Sequence, residues 1–153
     1  NTQVPLQLLE ASWKAGLLAG VTGYTRMRRE VNVGDSRLDA LFQADGQPDV
    51  WVECKNVSLV EDGVAGFPDA VTDRGRRHLE ELIRLAGHGV RVACFFLVQR
   101  GDAHCFAPAE YIDAAFAQAF WRAREAGVLM WVHQARLSMH GIDLGPALPI
   151  IDP

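Results

Sequence analysis

The chain has 153 residues, a length typical of one globular domain that buries most of its apolar surface without disulfides or metal ions. Apolar residues make up 49% and charged residues 22% of the sequence, which excludes disordered, collagen-like and low-complexity proteins. The longest purely apolar run, residues 92–98, is far shorter than the roughly 20 residues that a membrane-spanning helix needs. We therefore expect a single domain, residues 1–153, without a membrane partner.

Charge and cysteine content narrow the possible partners. Fifteen basic and nineteen acidic residues give a net charge of −4, so any nucleic acid must be bound by a local basic patch. The three cysteines lack CxxC spacing, which argues against structural disulfides and a zinc knuckle.

The sequence opens at Asn1 without an initiator methionine or a signal-like apolar core, and we expect a trimmed or partial cytoplasmic protein.

The N-terminal segment has the periodicity of an amphipathic helix. Pro5 stands at a plausible first-turn position. The apolar residues that follow it at spacings of three and four are Leu6, Leu9, Trp13 and Leu17. This pattern predicts a helix that ends near Gly20.

From Arg26 the period changes to two, which predicts a three-strand antiparallel meander. The strand sequences are MRREVNV, SRLDALF and DVWVECKNV. A Gly34-Asp35 turn joins the first two strands, and a looser loop over residues 44–48, centred on Gly46, joins the second and third.

The second half of the chain alternates helices and strands. Residues 60–71 contain two glycines and a proline and are predicted to be loop. Thr72 is predicted to cap a helix through about Ala86, which Gly87 ends, and a second helix is predicted over 109–126. The nearly all-apolar segment 90–99 indicates a central strand, and further strands are expected over 128–138 and 141–150, the last at a sheet edge or as a tail. The predicted fold class is α/β, a mixed sheet with the meander, flanked by helices.

Three acidic residues fall in one row across the predicted meander. With the turns given above, Glu30 lies opposite Asp39, and Asp39 lies opposite Glu53. Lys55 points to the same face because it follows Glu53 by two residues. Directly opposed Cβ atoms lie about 5 Å apart and a small hard cation binds oxygen at about 2.1 Å, so neighbouring carboxylates in this row can share one ion.

The opposite face of the meander is apolar in this register. It carries Val31, Val33, Leu38, Ala40, Phe42, Val50, Val52 and Cys54. A slip of one residue would bury the acids and Lys55, so the pattern supports the register. Like charges placed directly opposite each other are destabilising, which favours a bound cation. The alternative is an ordinary solvent-facing set of acids, neutralised by Arg28, Arg37 and Lys55.

A second acid competes for the same role. Asp49 follows Pro48, lies four residues before Glu53 and points to the acidic face. We rank Asp39 above Asp49, because we expect the side chain at the hairpin end to be more solvated and mobile.

Several strings resemble known families. RREVNVGDSRLDALF and WVECKNVSL resemble the PD-(D/E)XK nuclease core, in which two acids and a (D/E)xK strand bind divalent metal. GDSRLD, VECKNVSLVEDGVAGFPDAVTDRGRRHLEEL and FFLVQRGDAHCFAPA together resemble the sugar fermentation stimulation protein A family. The resemblance covers nearly all of this chain but about the C-terminal two-thirds of a family member. It implies that the family's N-terminal OB-fold-like domain is absent here.

The resemblance implies a restriction-endonuclease-like core with a metal site. Asp39 matches the second acid, Glu53 the acid of the (D/E)xK strand and Lys55 its lysine, while Glu30 matches the preceding acid. It follows that Asp39 and Glu53 would hold Mg²⁺ or Mn²⁺, and that all four residues are candidate catalytic residues. The carboxylates would hold metal against the scissile phosphate, while Lys55 orients the attacking water or steadies the transition state.

Arginines near the acidic row and on the helix after the meander are candidates for phosphate binding. The helix predicted to start after Thr72 places arginines near free backbone amides, which receive phosphate well. Candidate nucleic-acid contacts are Arg28, Arg37, Arg74 and Arg77. The alternative for the helical pair is a solvated face neutralised by neighbouring glutamates. His78 is interpreted as a packing or surface histidine in preference to a catalytic one.

The family resemblance implies DNA binding with little sequence preference and a role in regulating sugar (maltose) use. Our first hypothesis is a cytoplasmic DNA-binding protein with a Mg²⁺- or Mn²⁺-dependent nuclease site. The alternatives are a non-catalytic DNA-binding regulator of sugar metabolism, and a metal- or sugar-responsive interaction module. The sequence leaves the oligomeric state open.

Overall fold

The computed structural model describes residues 3–152, which form three α-helices and nine strands. The helices are α1 (Gln3–Lys14), α2 (Asp73–Gly87) and α3 (Ala114–Glu125), with a 3₁₀ turn at Ala19–Val21. The strands are β1 (Arg26–Val33), β2 (Ser36–Gln43), β3 (Val50–Val57), β4 (Leu59–Glu61), β5 (Val64–Phe67), β6 (Arg91–Val98), β7 (Cys105–Pro108), β8 (Leu129–Ser138) and β9 (Gly141–Ala147). None of the helices within residues 3–152 has the length and hydropathy of a transmembrane segment.

Six strands form a mixed sheet in the order β1-β2-β3-β6-β8-β9. The meander β1-β2-β3 is antiparallel, β3, β6 and β8 are parallel to one another, and β9 returns antiparallel to β8 at the edge. Strand β6 is buried from Val92 to Val98, as its unbroken apolar sequence predicted. The predicted α/β fold with a mixed sheet and flanking helices is confirmed.

Helices cover both faces of this sheet. Helix α1 packs on one face through Leu6, Leu8 and Leu9. Helices α2 and α3 cover the other face through Leu79, Leu82, Leu85, Phe116 and Phe120. Because β6 lies between the two layers, its alternate side chains enter the two cores, with Phe95 on the α1 side and Phe96 on the α2 side.

The predicted register of the meander is confirmed. Val31 pairs with Leu38 across the first hairpin, and Ala40 pairs with Val52 across the second. Turn chemistry and alternation were sufficient here, because a one-residue slip would have moved apolar side chains out of the core.

The single apolar face predicted for the meander is wrong. Ala40, Phe42, Val50, Val52 and Cys54 pack on the α1 side. Val33 and Leu38 instead pack on the side of α2 and α3. The apolar side chains of both hairpin strands therefore switch from one face of the sheet to the other near Glu30 and Asp39. Glu30 adopts a left-handed φ of +51°, which interrupts the regular alternation of β1 at this level.

Helix α1 ends earlier than predicted. It was expected to reach Gly20 with Leu17 buried, but it ends at Lys14 and Leu17 is 60% exposed. Gly16 adopts a left-handed φ of +72°, and the N–H of Leu17 donates to the carbonyl of Ser12 at 2.9 Å. This is the hydrogen-bond pattern of a helix terminated by glycine, so Gly16 is the stop signal.

The prediction of a loop over residues 60–71 is wrong in its first half. Strands β4 and β5 pair around Asp62 and Gly63, whose φ values are +50° and +79°. Two left-handed residues in an Asp-Gly pair are typical of a type I′ hairpin turn. β5 also pairs in parallel with β7, a strand too short to show alternation in the sequence.

The two later helices begin at capping side chains. The predicted cap of α2 is confirmed, because the Thr72 hydroxyl accepts a hydrogen bond from the N–H of Gly75 at 2.9 Å. Helix α3 starts five residues later than predicted, at Ala114, because the Asp113 carboxylate accepts from the N–H of Phe116 at 3.0 Å. Asp113 also accepts from the N–H of Thr72 at 2.9 Å and so joins the starts of both helices.

Candidate metal centre

A groove of about 1190 Å³ separates the β1–β2 hairpin from the N-terminal half of α2. All four candidate catalytic residues line it, namely Glu30, Asp39, Glu53 and Lys55. Three of the four candidate phosphate-binding residues, Arg37, Arg74 and Arg77, also line it. Arg28 lies outside the groove, on the exposed edge strand β1.

Asp39 lies where strands β2 and β3 separate. Their backbone pairing ends at Ala40 and Val52. Beyond that point the Asp39 carboxylate accepts a hydrogen bond from the backbone N–H of Cys54 at 2.7 Å. The contact replaces a strand-to-strand bond and fixes the Asp39 carboxylate next to Glu53.

Glu53 is a buried carboxyl group, with a side chain only 8% exposed. Burial, followed by the hydrogen bond with Asp39, raises the pKa of Glu53 to about 9, although the Lys55 ammonium acts in the opposite direction. Burial and the neighbouring Asp39 carboxyl group thus favour the protonated form of Glu53 when no cation is bound. Two acidic side chains held this closely need either a proton or a cation between them.

Lys55 and His78 meet above Glu53. The Lys55 ammonium contacts His78 Nδ1 at 2.9 Å, and the same nitrogen lies 3.4 Å from Glu53 Oε2. Burial, followed by the charge of Lys55, lowers the pKa of His78 to about 4. His78 is thus neutral at pH 7 and accepts a hydrogen bond from Lys55.

His78 is the site residue that sequence reasoning missed. Arg74, His78 and Glu81 recur at spacings of four and three on α2, which places them on one helix face, and all three line the groove. The leucines of α2 occupy a separate, buried face. The polar spacing on α2 could have pointed to His78. The sequence alone, however, does not show that this side of α2 faces the acidic row.

Glu30 stands apart from the Asp39–Glu53 pair. Its side chain is 62% exposed and accepts a hydrogen bond from Arg37 at 3.1 Å. Within residues 3–152, no group of three or more His, Cys, Asp or Glu side chains is placed to hold a metal ion. The structure therefore brings two carboxylates of the expected row together and leaves Glu30 on the groove wall.

Hydrogen bonds link the hairpin and α2 at the Ser36 end of the groove. The Ser36 hydroxyl donates to the Glu81 carboxylate, which also accepts from Arg84 Nε at 3.0 Å. The bonds from Arg84 and Ser36 lower the pKa of Glu81 to about 2, so the link is charged at neutral pH. It holds the tip of the β1–β2 hairpin against α2.

A model of the sugar fermentation stimulation protein RE domain matches residues 3–141. The chain belongs to the sugar fermentation stimulation protein family. It is 53% identical over 152 residues to the sugar fermentation stimulation protein homolog of Maridesulfovibrio salexigens, covering 98% of this chain and 64% of that protein. It is 51% identical to the homolog of Syntrophobacter fumaroxidans, covering 99% of this chain and 58% of that protein. The chain thus spans about three-fifths of the length of these curated relatives.

A solved structure from the same family has the same fold. The structure of Pyrococcus furiosus SfsA in complex with Ca²⁺ matches with a TM-score of 0.90 and 30% sequence identity. The match covers 99% of this chain and 66% of that one. The family predicted from the sequence motifs is confirmed, and so is the mixed α/β architecture.

Proposed function

We propose that this chain has a PD-(D/E)XK-like core and that it binds DNA and hydrolyses phosphodiester bonds with a divalent cation. One observation carries the proposal. Asp39 and buried Glu53 line the groove together with Lys55, and the helical wall of the same groove presents Arg74 and Arg77. Neighbouring carboxyl groups disfavour each other's ionised form, and a cation bound between them would relieve that repulsion.

The donor set fits a hard cation. Asp39 and Glu53 would hold it, since carboxylate oxygens suit Mg²⁺ and Mn²⁺ and these ions keep several waters when protein ligands are few. When bound, the cation would supply charge neutralisation at the phosphate and acidify an attacking water. Pyrococcus furiosus SfsA was solved in complex with Ca²⁺, which supports divalent-cation binding in this family.

The remaining residues would bind and orient the substrate. Lys55 is 9% exposed, and its ammonium would donate to the scissile phosphate or the attacking water from the groove floor. Arg74 and Arg77 would contact backbone phosphates, with Arg37 on the opposite wall. Such contacts neutralise charge without reading base edges, so we expect DNA binding with little sequence preference.

The test compares cleavage of single- and double-stranded DNA by the wild type, Glu53→Gln and Lys55→Ala in Mg²⁺ or Mn²⁺. We expect metal-dependent cleavage that both substitutions reduce by about 100-fold or more. Asp49→Asn is the matched control, because Asp49 bonds Gln43 on the exposed surface. Salt-sensitive DNA binding without cleavage would contradict the nuclease role and support a non-catalytic DNA-binding regulator of sugar (maltose) metabolism.

A further inference from the structure

The contact between Lys55 and His78 joins the groove floor to its helical wall. Lys55 lies on β3 and His78 on α2, and their nitrogen atoms are 2.9 Å apart. A lysine ammonium has three donors and no acceptor, so His78 Nδ1 must accept and the ring proton must lie on Nε2. The contact therefore selects one neutral tautomer of His78.

We propose that His78 is a positioning residue for Lys55 in the cleavage reaction, an inference that rests on the proposed nuclease function. The four-carbon side chain of lysine is flexible, and Glu53 offers a competing partner on the same strand. By accepting one N–H, His78 fixes the ammonium at the helical wall and leaves two N–H donors for a groove ligand. An outer partner that orients a reactive group in this way is worth about 10- to 100-fold in activity.

The activity test separates hydrogen bonding from packing. His78→Leu keeps a similar side-chain volume without an acceptor, whereas His78→Asn retains an oxygen near the position of Nδ1. We expect His78→Leu to lower kcat about 10- to 100-fold with little change in KM, because the arginines still bind the substrate. His78→Asn should recover most of that loss. His88→Leu is the matched control, since His88 lies at the far end of α2 and bonds the Arg84 carbonyl.

A spectroscopic readout tests the contact without cleavage. Long-range ¹H–¹⁵N NMR spectra of the histidine rings distinguish the two neutral tautomers. The signal that is missing in His78→Asn assigns His78. In the metal-free wild type at neutral pH, we expect the His78 ring to carry its proton on Nε2. Thermal melts of each variant confirm that it is folded before rates are compared.

The outcomes separate this inference from the nuclease proposal. An active wild type with an equally active His78→Leu, or with His78→Asn no better than His78→Leu, overturns the positioning role alone. A proton on Nδ1 of His78 also overturns it. A folded wild type that cleaves no DNA in either metal overturns the nuclease proposal and, with it, this role.

Discussion

The Asp39 carboxylate accepts the backbone N–H of Cys54 at 2.7 Å and so spans the gap that opens between β2 and β3. Glu53 precedes Cys54 on β3, and its buried side chain lines the same groove as Asp39. The acidic pair is therefore held by backbone geometry on one side and by Lys55 and His78 on the other.

Removing either carboxylate should abolish tight binding of a divalent cation. We expect Asp39→Asn and Glu53→Gln each to weaken Mn²⁺ binding by more than about 100-fold. Loss of a residue that only hydrogen-bonds a metal ligand typically weakens binding by about 10- to 100-fold. Isothermal titration calorimetry measures this directly, with Asp49→Asn as the control. Unchanged Mn²⁺ affinity in Glu53→Gln would show that the ion, if bound, lies elsewhere.

The stability of the metal-free protein should fall as the pH rises from about 6.5 to about 9. Folded Glu53 keeps its proton to about pH 9, while the unfolded chain releases it near 4.5, so the folded state binds more protons in this window. His78 has the opposite sign, because its lowered pKa costs stability only below its ordinary value of 6.5. Urea denaturation in EDTA measures the free energy of unfolding. Glu53→Gln should remove this part of the pH dependence, and an unchanged slope would contradict the raised pKa.

Arg74 and Arg77 should contribute to DNA affinity through phosphates. Each Arg→Ala substitution should weaken binding to all sequences alike and reduce the slope of log affinity against log salt by about 1. Fluorescence anisotropy over a salt series gives the slope. Arg124→Ala is the control, since Arg124 lies over Trp121 near the end of α3. Equal slopes for the wild type and Arg74→Ala would exclude this arginine from the interface.

Asp113→Ala should destabilise the fold by about 2–3 kcal/mol, because it removes the cap of α3 and leaves the partly buried N–H of Thr72 without its acceptor. The lost bonds are those from Thr72 and Phe116, at 2.9 and 3.0 Å. Asp113→Asn keeps one acceptor oxygen and should cost less. Urea denaturation at neutral pH tests both variants, and a loss for Asp113→Ala as small as that for Asp113→Asn would contradict the double role.

Local patterns were sufficient for most elements of the main sheet. Period-two alternation and the Gly34-Asp35 turn predicted the register of the meander, and that register is confirmed. The Thr72 cap also predicted the start of α2. Errors arose where only one or two residues carried the signal, as with Gly16 at the end of α1 and Asp62-Gly63 in the β4–β5 hairpin. Glycine and Asp-Gly are the residues most often found in left-handed backbone conformations, so the sequence did carry these signals.

The sequence by itself determined the family, the pairing of the three meander strands and the placement of Asp39, Glu53 and Lys55 on neighbouring strands, because alternation and turn chemistry act over a few residues. Only the tertiary structure decided that Glu30 pairs with Arg37 away from the two-carboxylate pair, and that His78 contacts Lys55. The left-handed backbone at Glu30 and the approach of α2 to β3 decide these contacts. The first is a local departure from regular strand geometry, and the second depends on packing between a strand and a later helix, so alternation along the sequence encodes neither.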